Sequence, residues 1–521
     1  MALRSQPIRV VRSALLDRGL WAVVSLGFVV SVTASSGMGA VVHEYRFCHD
    51  GILGSSLDLT VVTGSREQAE ACEAAVLSEI ERLRRLLSTY DPTSEISRLN
   101  ATSEEREVSP ELFEVLRLYE LWRVRSGGVF NARVGSILQA WKQGEAEQRI
   151  PDPETLRTIC QGMEGAAVAL DQERRRVRRL TPHLLNVNAI GKNYIIEKAV
   201  TAASRADSGL VGLLLSIGGD IVCRGSALGP PGTPWRVGVA DPTCSYDNSR
   251  PLAQLWVRDR AIASSGTYER QFKIGSERYS YLVDPRTGWP VRGVLGVTVT
   301  APDAMTADAL STTLCILSPE EGVELVGQIP GAECLITSAD GQTHASPGWR
   351  TFEVPALPIE IRQQKNSSWP DKYQVSIELS LAASPPTTAG KPYRRPYVAV
   401  WAEDASGKPV RTIAEWGNNA KHQPELSAWW VFAGKDAALV KAVSKATRDA
   451  GKYTLVWDGL DDKGNAVPQG VYVIRVEVSR EFGRHFKDMT APLACKTKAA
   501  QAQMKGNVEV DSVQIKFGPA P

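Results

Sequence analysis

The stretch "PALPIEIRQQKNSSWPDK", Pro355 to Lys372, constrains this chain more than any other. Its prolines remove backbone donors, and its polar residues follow neither a helical nor a strand period. No regular element runs through it. The chain has 521 residues, too many for one hydrophobic core, so this break marks a domain boundary. The expected organisation is a leader over 1–40, a first domain over 41–355, a linker over 356–372 and a second module over 373–521.

The leader carries Arg4, Arg9, Arg12 and Arg18 ahead of "LWAVVSLGFVVSV", and small residues follow. A basic segment, a short apolar run and a small-residue exit describe a secretory signal, with cleavage expected between Ala34 and Val41. The run is short for a membrane span of about 20 residues, and an uncleaved anchor is the alternative. Beyond it, 60 basic and 58 acidic side chains nearly cancel, which supplies no general attraction to nucleic acid or anionic membrane. The eight cysteines form no C-x-x-C pair. Export permits disulfides, but the scattered spacing favours buried, unpaired thiols.

The first domain reads as α+β. Leu57 to Val62 is a strand, and Arg66 to Leu87 an amphipathic helix with Val76, Ile80, Leu83 and Leu87 on one face. Ser109 and Pro110 open a further helix that stops at Gly127. The second module reads as all-β and immunoglobulin-like. "VYVIRVEVS" alternates strictly, with Tyr472, Ile474, Val476 and Val478 on one face. Asp458, Asp461 and Asp462 do not have EF-hand spacing and are expected in a solvated turn. The last 30 residues are polar and expected to be loosely held.

Several stretches of the first domain offer chemistry. Asp308 and Thr312 are four residues apart and would share a helix face, and a carboxylate with a hydroxyl suits magnesium. They are equally ordinary polar positions near a helix start. Gly218-Gly219-Asp220 either ends a strand or lets a backbone approach a phosphate. Lys192 lies near a helix N-terminus, where it is a surface lysine or a phosphate partner.

Taken in order, "LGSSLDL", "STYDPTSEISRLN", "GVFNARVG", "NAIGKNY", "SIGGDI", "WRVGVADP", "SSGTYERQF", "YLVDPRTGWPV" and "TADALSTTL" resemble the FAD:protein FMN transferase (ApbE) family from about Leu53 to Val354. The tail resembles a β-rich module fused to some members. The resemblance implies an exported enzyme that splits FAD with magnesium, passes FMN to a threonine of an acceptor flavoprotein at the membrane, and releases AMP. It implies metal contacts from Asp308, Thr312 and the Ala189 carbonyl. It places Leu53, Tyr90, Val129, Phe130, Asn131, Asn186, Lys192 and Leu282 around FAD, with Phe130 and Tyr90 available to pack on rings. Gly218, Gly219 and Asp220 would lie near the nucleotide end. Asp284 and Arg286 would shape the loop beside the reacting phosphates.

The sequence departs from the family pattern. Aspartate is usual at Asn131 and Asn186, glycine at Asn193, and methionine at Leu53. Tyr281 stands where histidine is usual. A histidine suits deprotonation of a threonine, whereas a phenol, with an unperturbed pKa of about 10, is a poor base at neutral pH. Two alternatives to transfer therefore stand beside it: hydrolysis of FAD to FMN and AMP, and an FAD-binding or assembly module with weak catalysis.

Overall fold

The computed structural model describes residues 41–520 except 245, 268–269, 356–367, 384–392, 418–421, 437–438, 441–442 and 446. The expected leader and most of the expected linker lie outside the described residues.

The first domain is organised by an eight-stranded sheet whose strands lie in chain order. They are His43–Ile52, Ser55–Thr63, Gly212–Ile217, Asp220–Gly225, Arg260–Gly266, Val294–Ala301, Glu333–Ser338 and Thr343–Ala345. All neighbours pair antiparallel. Such a sheet can bury both faces only if each is covered. One face, carrying Leu57, Leu59, Leu213, Leu215 and Val299, packs under helices Arg66–Leu87, Asn188–Ala206 and Ala304–Leu314. The other, with Val62, Cys223, Ile262 and Leu335, is covered by the hairpin Trp235–Val239 and Ala253–Val257 and by Trp349.

Local sequence accounts for the helices. Arg66–Leu87 buries Val76, Ile80, Leu83 and Leu87, as the 3.6-residue period predicts, and Ser65 caps it by accepting from Gln68 N. Ser109 caps Pro110–Arg125 by accepting from Leu112 N. A smaller cluster sits apart: Trp141, Leu138 and Leu156 pack on the hairpin Gln271–Ile274 and Glu277–Ser280 through Phe272 and Tyr279.

The C-terminal module is β-rich and includes a short helix, Ser427–Ala433. A four-stranded and a five-stranded sheet enclose one core containing Val375, Ile377, Trp457, Ile474, Val476 and Phe517. Tyr472, Ile474, Val476 and Val478 point inward, as their alternation predicts. The opposite face is covered as well. Glu477, fully buried, accepts from Ala428 N at 3.0 Å and Trp429 N at 2.8 Å, so a carboxylate holds the helix N-terminus. Asp461 accepts from Lys463 N and Asn465 N in the expected turn.

Two expectations change. The polar tail is not loose: Ala500–Lys505 and Val510–Pro519 are paired strands, with Val510, Val513, Ile515 and Phe517 buried. Edge strands alternate, so half their residues are polar and face water. The last part of the Pro355–Lys372 break already belongs to the module, because Trp369 packs on Trp457 at 4.8 Å and on Phe517 at 4.9 Å. Five of the eight cysteines are buried.

Polar contacts fasten the module to the first domain. Asp247 accepts from Trp416 Nε1 at 2.8 Å and Arg448 Nε at 2.9 Å. Asn248 Nδ2 donates to the carbonyls of Ile413 and Val456, and its Oδ1 accepts from Val456 N. Replacing Asp247 by alanine leaves an indole N–H and a guanidinium without their acceptor, and is expected to cost about 1–3 kcal/mol. Urea unfolding followed by tryptophan fluorescence should show the loss, and a variant as stable as the parent would refute this role for Asp247.

Candidate active site

A cavity of about 430 Å³ opens where six parts of the first domain meet. The turn between the first two strands contributes Leu53, held at φ +50°. The turn between Gly212–Ile217 and Asp220–Gly225 contributes Gly218, at φ +56°. A Cβ there would meet Ser55 Oγ at 2.5 Å and Lys192 Nζ at 3.2 Å, so only glycine keeps this wall. Helix Asn188–Ala206 brings Ala189 and Lys192, and helix Ala304–Leu314 brings Asp308 and Thr312. Val129, Phe130 and Asn131 follow helix Pro110–Arg125, while Tyr281 and Leu282 follow the hairpin that packs on Trp141.

The electrostatics centre on Asp308. It is 8% exposed, and its carboxyl accepts from Asn193 Nδ2 at 2.8 Å. Burial, reinforced by the Asp220 carboxylate, holds its pKa well above the ordinary carboxylate range. Asp220 pairs with Lys192 at 2.8 Å, which leaves Asp308 without a cation of its own. Asn193 thus uses its amide on the buried carboxyl, which a glycine could not do.

Among the described residues no group of three or more His, Cys, Asp or Glu side chains could hold a metal. Magnesium does not demand such a cage, since it takes one or two carboxylates and completes its shell with water and phosphate oxygens. Asp308, the Thr312 hydroxyl and the Ala189 carbonyl line the same cavity and are all hard oxygen donors. A buried carboxyl beside a second acid is the environment a divalent cation relieves, and the donor set fits.

Tyr281 is half-buried, stacked on Phe272 with ring centroids 5.2 Å apart. Burial, then the neighbouring Tyr90 hydroxyl that hydrogen-bonds to it, pushes its pKa up to about 12. The shift runs opposite to what a base requires. At neutral pH Tyr281 is a hydrogen-bond donor.

The other expected residues divide. Asn131 and Asn186 line the cavity and also serve the backbone: Asn131 Oδ1 accepts from Arg133 N and Nε, and Asn186 Oδ1 from Asn188 N. Phe130 lines the cavity but stacks on Tyr119 at 4.9 Å. Tyr90 is 67% exposed and lines an adjoining depression, which shares Tyr281, Asn186 and Leu138 with the cavity. Gly219 supplies turn geometry at φ +87° and does not line the cavity. Asp284 and Arg286 also lie off it, in the turn that follows Val283 of the lining. They pair with each other at 2.8 Å, and Arg286 borders a separate depression with Gly127, Gly128 and Asn131. Asp284 closes the turn with its carbonyl, which accepts from Thr287 N and Gly288 N, while its carboxylate accepts from Arg286 N, Nε and Nη2. Sequence reasoning missed Ser55, Tyr119, Ser265 and Arg270 in the lining. The last two belong to "SSGTYERQF", a motif whose individual side chains the sequence does not orient.

With metal absent, Asp308 keeps its proton in the folded protein above the pH at which the unfolded chain, near 3.8, has lost it. Its contribution is neutral at low pH and grows unfavourable as pH rises through and beyond the ordinary carboxylate range, by up to about 1.4 kcal/mol per pH unit. Asp308→Asn should therefore gain stability relative to the parent between pH 5 and 7 in EDTA. If a divalent cation takes this carboxyl, the variant should also lose any rise in melting temperature that magnesium gives the parent. Urea and thermal melts check both, and a parent that gains on the variant with rising pH would contradict the burial argument.

Comparisons with known proteins agree with this geometry. The model of the ApbE family matches residues 53–336, and that of a family described as predicted periplasmic protein (DUF2271) matches 378–512. The FAD:protein FMN transferase of Treponema pallidum is 29% identical over 350 residues, covering 63% of this chain and 94% of its own. That of Klebsiella pneumoniae is 26% identical over 313 residues, covering 58% and 87%. The crystal structure of the ApbE protein from Thermotoga maritima, 29% identical, covers 60% of this chain and all of its own length with a TM-score of 0.54. The apo flavinyl transferase ApbE of Pseudomonas stutzeri, 21% identical, shares the fold at a TM-score of 0.50.

Proposed function

The chain belongs to the ApbE family, and from that premise we propose that it transfers FMN from FAD to a threonine of an acceptor flavoprotein outside the cytoplasm, releasing AMP. The observation that carries this is the single cavity in which Lys192, Asp220, Asp308 and Thr312, separated by up to 120 positions in sequence, converge beside Tyr281. The leader and the match to a periplasmic family support export. Among the described residues no helix is long and apolar enough to cross a membrane.

In this reading the acceptor threonine Oγ bonds to the phosphorus of the FMN half. The bond from that phosphorus to the bridging oxygen breaks, and AMP leaves with the oxygen. Asp308, Thr312 and the Ala189 carbonyl would hold magnesium, which when bound supplies charge neutralisation at the diphosphate. Lys192, kept in place by Asp220, reaches toward the same wall as Gly218. Tyr281, protonated, donates a hydrogen bond and takes no proton, so the threonine proton passes to water. A missing general base costs about 10²–10⁴-fold, so transfer is slow at neutral pH. That same observation favours a second reading, in which the protein binds FAD and scarcely turns it over.

Incubation with FAD, magnesium and a threonine-bearing acceptor domain tests the proposal by in-gel flavin fluorescence. The parent should label the acceptor slowly, and Tyr281→His should label it about 10²-fold faster or more. Absence of label with both proteins, while FAD stays intact, would leave only the binding reading. AMP released without acceptor would point to hydrolysis.

Asp308→Asn should abolish labelling while leaving the fold intact by circular dichroism. Labelling at the parent rate would remove Asp308 from the reaction.

A further inference from the structure

The hairpin that delivers Tyr281 delivers a second residue with it. One position beyond the Gln271–Ser280 pair, Tyr281 N–H donates to the Arg270 carbonyl at 2.9 Å. Arg270 and Tyr281 therefore stand side by side, and both line the cavity. The rest of the hairpin is anchored, since Trp141 lies 6.0 Å from Phe272 and 5.1 Å from Tyr279 between ring centroids. The backbone carrying Arg270 is thus fixed by packing, while its side chain is exposed. Among the described residues Arg270 forms no ion pair.

The charges of the cavity show what such a cation would meet. Lys192 is matched by Asp220 at 2.8 Å, and Asp308 adds a further acid. A diphosphate dianion entering beside two carboxyl groups requires positive charge that no partner has already taken. Arg270 meets that requirement at the cavity wall. Its neighbour Tyr281 can donate as well, so this end of the hairpin brings a guanidinium fork and a phenol hydroxyl to the same cavity. A planar fork matches the non-bridging oxygens of a phosphate two at a time, as an ammonium cannot.

We infer that Arg270 is a diphosphate-binding residue, gripping the phosphate oxygens of FAD with the Tyr281 hydroxyl beside it. This rests on the flavin-transfer reading and adds to it the residue that recognises the phosphates.

The test is binding, without acceptor. FAD and riboflavin, which share the ring but not the phosphates, are titrated separately into the full chain in magnesium buffer, following flavin fluorescence. The parent should bind FAD more tightly than riboflavin. Arg270→Ala should weaken FAD about 10- to 100-fold and leave riboflavin unchanged, with Arg270→Lys in between. An Arg270→Ala variant that keeps parental FAD affinity, or that loses FAD and riboflavin alike, overturns the inference and leaves the flavin-transfer reading standing. A parent that binds neither flavin removes that reading, and this inference with it.

Discussion

The site depends on one buried acid, the carboxyl of Asp308, which forms no ion pair among the described residues. It is buried because helices Asn188–Ala206 and Ala304–Leu314 pack against each other over the sheet, and the contact places it beside Asn193. Burying a carboxyl without a cation is unfavourable, and proteins accept it where the group will meet one in use. Asp220 sharpens the imbalance, and Lys192, paired directly with Asp220, offsets the Asp308 shift only in small part. The pair of helices therefore forms a socket whose charge is completed by what binds in it.

Beside that socket the hairpin contributes two donors to the cavity, Tyr281 and Arg270. Tyr281 with its raised pKa and Arg270 with its full charge both favour anions. A histidine at position 281 would alternate between donor and acceptor near neutral pH, whereas a tyrosine buried against Phe272 does not. The substitution moves this wall from proton transfer toward anion holding. Such a site can bind a diphosphate and stabilise charge on it while contributing little to activating the nucleophile.

Much of this was legible in the sequence, and what was not has a physical cause. The helix Arg66–Leu87 declares itself because burial repeats with its period, and the four-residue step from Asp308 to Thr312 puts both on one helix. The contact of Asn193 with Asp308 joins residues 115 positions apart and exists only once two helices pack. The direction of the Tyr281 shift likewise depends on tertiary burial and on Tyr90, far away in sequence. "DPRTG" does not show in sequence that its acid and base pair with each other, a contact that the turn creates. The tail misled because an edge strand with Gln501, Gln503 and Lys505 on its wet face has the composition of a disordered segment.

The module's attachment bears on the cavity through the first hairpin. Asp50 accepts from Thr447 Oγ1 at 2.8 and 2.9 Å and pairs with Arg395 at 3.3 Å. Three residues further on, Leu53 forms part of the cavity wall in a left-handed turn that costs energy for any residue with a Cβ. Such a conformation persists only where its surroundings over-determine it. Here the first strand pairs with Ser55–Thr63 on both sides of an irregularity between His49 and Ile52, and Asp50 within that irregularity is held by Thr447 and Arg395 of the module. The β-rich module is thereby tied to the hairpin that shapes the site, and loosening it would relax the wall at Leu53 without touching a residue inside the cavity.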